Sequence, residues 1–340
     1  MKPTIAVDLA KSVFEVAVSQ RPGRVEQRRR LSRRRFLPFF AQQPPATVLL
    51  EACSSAHFWA RQLRDLGHEA VLLPPRHVRP YRQGNKTDRA DAKALLEAHR
   101  NEDIRPVPVK TVEQHALTAL PRLRSGWIAT RTARINAVRG ILRELGLTIP
   151  VGAQRVVSCV RALLDDDAVP QSLRASLLDA CDEIRGLEEK VRSTERQLEA
   201  LGRQIAAVGH LRSVPGIGLL TATALVASVG DVRRFPSGRH FASFLGLTPK
   251  EHSSGHVRRL GRISKRGDAY LRTLLIHGAR SVLWAAKSKK EPDRLRLWAL
   301  ELEQSRGHNK AAVALANKLA RFAWVVLNEQ RDFQTTRRAA

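Results

Sequence analysis

Residues 4–19, TIAVDLAKSVFEVAVS, decide the first half of the fold. Apolar residues run or alternate over two strand-length segments, 4–9 and 13–19, separated by a short polar turn, and this predicts a β-hairpin. Asp8 stands between Val7 and Leu9 in the first segment, a charge that an apolar strand gives no reason for. Downstream, residues 47–51 (TVLLE) read as a buried strand ending in Glu51, and 56–66 (AHFWARQLRDL) as an amphipathic helix closed by Gly67. Residues 69–73 (EAVLL) give another strand, stopped by Pro74-Pro75. Thr87 caps a helix over TDRADAKALLEAHR, with Asp88 in its first turn. A hairpin followed by strand–helix alternation predicts an α/β domain over 1–105. The stretch from Arg21 to Arg35, with eight arginines and one acid, is assigned no element.

The remainder reads as mainly α. Residues 106–164 form a helical connector in which 111–145 are one or two helices broken near Pro121. The segment 165–208 is an acidic island in a basic chain. Within it Leu177, Ala180, Ile184, Leu187, Val191, Thr194, Leu198, Leu201, Ile205 and Val208 recur at alternating steps of three and four, a heptad stripe. So narrow a stripe predicts a coiled-coil arm packed on a second subunit rather than on a globular core. A C-terminal domain, 209–300, holds a Pro-Gly-Ile-Gly turn opening an apolar helix at 213–230, a helix at 235–247, and a basic loop and helix start over 250–272. The end, 301–340, is an amphipathic helix over about 309–328 and a polar tail.

Composition narrows the partner. The 340 residues carry 59 Lys+Arg against 32 Asp+Glu, a net charge of +27 that makes a polyanion the default ligand. Arginine, the residue that forks onto phosphate and guanine, supplies 46 of the 59. Three scattered cysteines exclude a disulfide scaffold and a cysteine zinc finger. The start lacks an apolar leader and no run of about 18 apolar residues occurs, so a cytoplasmic chain with no membrane role is expected.

Three groups of residues could carry chemistry. Asp8 on a first strand, Glu51 on a later one, and Asp88 and Asp91 three apart on a helix are hard oxygen donors suited to one or two Mg²⁺ ions, in the order of a ribonuclease-H-like nuclease core. Pro215-Gly216-Ile217-Gly218 resembles half of a helix-hairpin-helix; Gly216 and Gly218 either admit a phosphate to a helix N-terminus or simply let helices pack. In 251–267 (EHSSGHVRRLGRISKRG), Ser254 precedes a glycine, and Arg258, Arg259, Arg262, Lys265 and Arg266 gather charge that grips a DNA backbone or stabilises an attacked phosphate.

Taken together, VDLAK, LLEACSS and NKTDRADAKAL, then VPGIGLLTATALVASVGDVRRF, HFASFLGLTP, HSSG and GRISKRGDAYLRTLL, resemble the DEDD transposases of bacterial insertion sequences, a family that includes the Piv-type invertases and bridge-RNA-guided recombinases. VDLAK in place of VDVSK, and Asp268 in place of asparagine, are the departures. The resemblance implies a RuvC-like N-terminal domain, a coiled-coil arm and a C-terminal transposase domain. It implies Asp8, Glu51, Asp88 and Asp91 as Mg²⁺ ligands and Ser254, or Ser253 beside it, as the nucleophile that links to DNA. It further implies a homo-oligomer, dimer or tetramer, joined through the coiled coil, with one subunit's carboxylates completed by another's serine. A bridge RNA would pair with donor and target DNA. A RuvC-like nuclease using water, and a non-catalytic nucleic-acid scaffold, are the alternatives that the residues alone leave open.

Overall fold

A computed structural model describes residues 2–21, 24–85, 87–166, 168–288 and 290–334; Lys86 of the NKTDRADAKAL motif and the last six residues of the polar tail lie outside them. The chain divides into two compact units, Met1–Val112 and Glu113–Ala340.

In the first unit the expected hairpin forms from β1 (Thr4–Asp8) and β2 (Val13–Ser19), antiparallel, with Asp8 opposite Glu15. Part of the arginine-rich stretch that the sequence reading left without an element is a third strand, β3 (Gln27–Ser32), running into α1 (Arg33–Ala41). Arg28, Arg29 and Arg30 face water and only Leu31 is buried, so β3 is an edge strand whose charges hide its pattern and block further pairing. Then follow β4 (Thr47–Glu51), α2 (Ala56–Asp65), β5 (Glu69–Leu73), the single turn α3 (Pro75–Val78) and α4 (Asp88–His99). The sheet order is β3-β2-β1-β4-β5, with β4 parallel to β1 and β5 parallel to β4. An antiparallel meander extended by parallel strands is the arrangement expected of a ribonuclease-H-like core.

Strand alternation sorts the two faces. Ile5, Val7, Phe14, Val16, Val48, Leu50 and Leu72 pack on one side beneath α1 and α2, where Phe14, Phe36 and Trp59 meet edge to face at centroid distances of 4.8–5.3 Å. Ala6, Ala17, Leu49 and Leu73 pack on the other side against α4. Thr87 caps α4 as the sequence suggested, its hydroxyl accepting from the Ala90 N–H at 3.2 Å.

The second unit is helical: α5 (Val112–Glu144), α6 (Val156–Asp165), α7 (Gln171–Arg203), α8 (Ala206–Arg212), α9 (Leu219–Val229) and α10 (Gly238–Phe244). A short hairpin of β6 (Pro249–Glu251) and β7 (Leu260–Ile263) precedes α11 (Ala269–Lys287), α12 (Arg294–Arg306) and α13 (His308–Glu329). The helix α5 runs unbroken through Pro121, correcting the expected break. Proline removes one helical hydrogen bond, and burial of its ring against the unit holds the turn.

The heptad stripe also needs correcting. It does not run to 208 on one helix: α7 ends at Arg203 and Ile205 is extended. The residues buried on α7 are Leu177, Cys181, Ile184, Leu187, Val191, Thr194, Leu198 and Gly202, with Cys181 and Gly202 where the heptad placed Ala180 and Leu201. Leu177, Cys181 and Ile184 share a core with Ile135, Val138 and Leu142 of α5 and Val156 and Val160 of α6. Arg124–Glu195, Arg131–Glu188 and Arg134–Glu183 ion pairs run in opposite order along α5 and α7, so the two form an antiparallel helical hairpin. The stripe is closed by the chain's own helices and not left for a second subunit. Ile184→Ala should therefore cost about 2–5 kcal/mol of unfolding free energy in a denaturant titration, as for a fully buried core side chain, without changing oligomer mass.

Candidate metal centre and basic hairpin

The register of the sheet places the first two candidate residues side by side. Val7 pairs with Leu50 across the parallel β1/β4 ladder, so Asp8 and Glu51 leave the ends of neighbouring strands on the face that α4 covers. Their proximity shows in Cys53, just beyond β4. Partial desolvation first, then the negative charge of Glu51 and more weakly that of Asp8, push its thiol above the ordinary value.

A third carboxylate, which the sequence reading missed, joins them. Glu15 lies directly across from Asp8 on β2, is only 4% exposed, and meets Arg89 of α4 at 3.9 Å. Its signal was present in VFEVAVS, an acid at the alternate position of an otherwise apolar strand, like Asp8. Like charges opposite one another across antiparallel strands repel, and a shared cation relieves such crowding.

Asp88 and Asp91 occupy the first turn of α4, which packs across β1 and β2. Asp88 is exposed, and Asp91 is half-buried with its Oδ1 accepting from Arg82 at 3.2 Å. Among the described residues no group of three or more His, Cys, Asp or Glu side chains is drawn together as a cation cage. The donor set is nonetheless the hard-oxygen kind that Mg²⁺ takes, delivered by strand ends and one helix turn on the same face of the sheet.

In the second unit the basic segment expected to be a loop is the β6/β7 hairpin, with Ser254 at its tip. Ser254 and Val257 exchange backbone hydrogen bonds of 3.1 and 3.3 Å around Gly255, whose φ of +56° gives the tight hairpin turn a glycine at the position that needs one. The two serines differ. Ser253 Oγ donates to Glu251 Oε1 at 2.8 Å and accepts from the Arg259 N–H at 3.2 Å, which commits its hydroxyl to the hairpin. The Ser254 hydroxyl makes no hydrogen bond among the described residues and stands in solvent. Arg258 pairs with Glu251 at 3.4 Å, while Arg259, Arg262, Lys265 and Arg266 are all exposed along the hairpin and its return. At its base, Ser264 and Lys265 donate backbone N–H groups to Thr248 and Gly246, so a fixed stem carries an exposed tip.

Gly216 and Gly218 part company. A Cβ on Gly216 (φ +83°) would lie 2.8 Å from the carbonyl oxygen of Gly278, and one on Gly278 would lie 1.9 Å from that of Gly216. This pair brings the turn against α11, so Gly216 serves close packing. A Cβ on Gly218, the N-cap of α9, meets open space. Gly278→Ala should cost about 3 kcal/mol in denaturant unfolding, whereas Gly218→Ala should cost about 1 kcal/mol or less, the preference for glycine over alanine at an N-cap.

Comparison with known proteins follows the same division. A family model described as "Transposase IS116/IS110/IS902 family" matches residues 208–293, and one described as "Transposase", of the IS110 DEDD type, matches residues 5–146. The chain is 45% identical to the "Probable family 20 transposase" of Pseudomonas aeruginosa, covering 97% of this chain and 98% of that protein. It is 39% identical to the transposase for insertion sequence element IS1111A of Coxiella burnetii, over 97% and 91% of the two chains. The pilin gene-inverting protein of Moraxella bovis is 27% identical over 36% of this chain and 37% of its own length.

Proposed function

The chain belongs to the IS116/IS110/IS902 family of transposases, DNA-cutting and rejoining enzymes, and from that premise we propose that it recombines DNA through a serine–phosphate intermediate, guided by a bridge RNA. The observation that carries the nucleophile is the contrast between the committed hydroxyl of Ser253 and the unengaged hydroxyl of Ser254 at the hairpin tip.

In this reading Ser254 Oγ attacks a backbone phosphorus. Its proton goes to solvent or a nearby base, the P–Oγ bond forms as the phosphorus–sugar oxygen bond breaks, and the released oxygen takes a proton. A strand hydroxyl then attacks the phosphoserine, re-forming the phosphodiester and returning the hydroxyl to Ser254. Arg258, Arg259 and Arg262 offset charge on the phosphate, and Lys265 and Arg266 hold the backbone beside it. Asp8, Glu51, Asp88 and Asp91 would hold Mg²⁺, with Asp91 exchanging Arg82 for the cation. The bound ion would polarise the phosphate and activate the attacking oxygen.

The carboxylates and Ser254 belong to different units of the chain, and we propose that the site is completed between subunits of a homo-oligomer. The inner stripe of α7 is occupied, so the coiled-coil contact would use the outer surface of the helical hairpin, where Leu123, Ile141 and Leu178 are exposed. Among the described residues no helix is long and apolar enough to cross a membrane, and the +27 charge suits the simultaneous binding of donor DNA, target DNA and RNA.

The test incubates the protein with labelled DNA spanning the ends of its element and with the non-coding transcript flanking its gene. A covalent protein–DNA adduct on denaturing gels that requires both Mg²⁺ and the transcript is expected. Cleavage with no adduct supports the nuclease that uses water, and cleavage without the transcript removes the RNA from the reading.

A further inference from the structure

Among the described residues, the hydrophobic side chain left most conspicuously in water, apart from that of the loop residue Val151, is Trp284, 74% exposed within a helix. The helix α11 buries Leu271, Leu275, Ala279, Val282, Leu283 and Ala286, and at 3.6 residues per turn Trp284 falls on the side opposite them, with His277, Ser281 and Ser288. Along its 19 residues α11 has no acid but has Arg272, His277, Arg280 and Lys287. Arg280 and Lys287 flank the indole one turn away on either side, Arg280 donating to Asn309 Oδ1 at 3.1 Å and Lys287 paired with Glu303 at 2.9 Å.

His277 and Ser281 also line an open groove of about 1010 Å³ within the second unit, whose other walls include Arg192, Arg196, Arg212 and Gly218 at the start of α9. The groove's arginines are all in ion pairs, Arg192 and Arg196 with Glu189 and Arg212 with Glu199, but with Arg124 on Glu195 and Arg203 on Glu199 five arginines share three carboxylates, so the cluster keeps an excess of positive charge. The first N–H groups of α9, left without helical partners, open at this wall. An apolar ring one turn along the helix from the groove's Ser281 wall, beside a cluster with excess positive charge, suits a chain of alternating aromatic and anionic groups. A folded protein partner would require an apolar patch, and Trp284 stands among polar and basic neighbours.

We propose that this groove and the α11 face form a track for single-stranded nucleic acid, with Trp284 stacking on an unpaired base while the groove takes the adjoining phosphates. The proposal rests on the reading of the chain as a nucleic-acid recombinase and adds to it a strand-binding site distinct from both the carboxylates and Ser254. Unpaired bases are what a guide RNA loop or a DNA strand opened for exchange presents, and the ring chemistry is common to both.

The experiment measures fluorescence anisotropy of labelled oligo(dT), oligo(U) and a blunt DNA duplex with the full chain and its Trp284→Ala and Trp284→Phe variants. Trp284→Ala should weaken single-strand binding about 5- to 100-fold, the range for losing one stacked base, and Trp284→Phe should restore most of it. Duplex affinity and its salt dependence should not change, nor should the thermal midpoint, because the ring packs on nothing that folding requires. A loss confined to oligo(dT) or to oligo(U) supports the track and assigns it to DNA or RNA. Unchanged single-strand affinity, an equal loss on duplex, or a drop in oligomer mass with Trp284→Ala overturns it, the last by giving the face to a second copy of the chain. Binding is read without catalysis, so this result stands apart from whether Ser254 proves to be the nucleophile.

Discussion

Asp8→Asn should abolish DNA strand cleavage while leaving nucleic-acid binding and thermal stability intact. The side chain stands at the end of β1 beside Glu51 and across from Glu15, three carboxylates on one face of the sheet. Replacing Asp8 by its isosteric amide removes one negative charge from this group without opening a cavity. Like charges facing one another across strands are destabilising, so the variant should melt near the wild-type temperature. In the proposed reading, cleavage depends on a cation that these carboxylates would hold. Losing one ligand of such an ion, worth several kcal/mol to the transition state, would lower the rate about 1,000-fold or more. The check is a pairing of single-turnover cleavage in saturating Mg²⁺ with a melting curve and a DNA-binding isotherm on the same preparation. Cleavage at the wild-type rate would remove Asp8 from the site, and a large fall in melting temperature would make its role structural.

The sequence disclosed elements in proportion to how much of them is buried. Strands β1, β4 and β5 are continuous apolar runs because both faces of the sheet are covered, and their limits were legible to within a residue or so. Strand β3 escaped because an edge strand covered on one side needs only Leu31 inward, and Arg28–Arg30 gave it the look of a solvated loop. The β6/β7 hairpin escaped for a related reason: β6 and most of β7 are exposed, and backbone bonds rather than an apolar pattern hold them.

The α7 stripe shows the opposite limit. Its spacing was visible, but whether a narrow stripe meets a neighbouring helix of the same chain or of another subunit depends on the course of α5, which the stripe does not encode. At the carboxylates, residue types named Asp8 and Glu51, whereas their adjacency is a matter of strand register, and Glu15 became visible only when that register was known.

Ser254→Ala should remove the covalent protein–DNA adduct altogether and reduce recombination by as much as about 10⁶-fold, the scale seen when a serine nucleophile is deleted from an enzyme that depends on it. Stability should not change, because the hydroxyl makes no hydrogen bond among the described residues and its backbone bonds to Val257 survive the substitution. Ser253→Ala should behave differently. Its hydroxyl joins Glu251 to the Arg259 N–H, so its loss loosens the hairpin and lowers the rate while the adduct still forms. An adduct that survives Ser254→Ala but vanishes in Ser253→Ala would move the nucleophile by one residue, and cleavage at the wild-type rate in the double variant would leave water as the attacking group. Mixing Ser254→Ala with Asp8→Asn tests where the site is assembled. Each variant lacks one half, so neither should act alone. If the carboxylates of one subunit meet the serine of another, mixed oligomers contain one intact composite site, and adduct should reappear at a fraction of the wild-type level. If both halves come from the same chain, the mixture should stay as inactive as its components, because no molecule in it carries both Asp8 and Ser254.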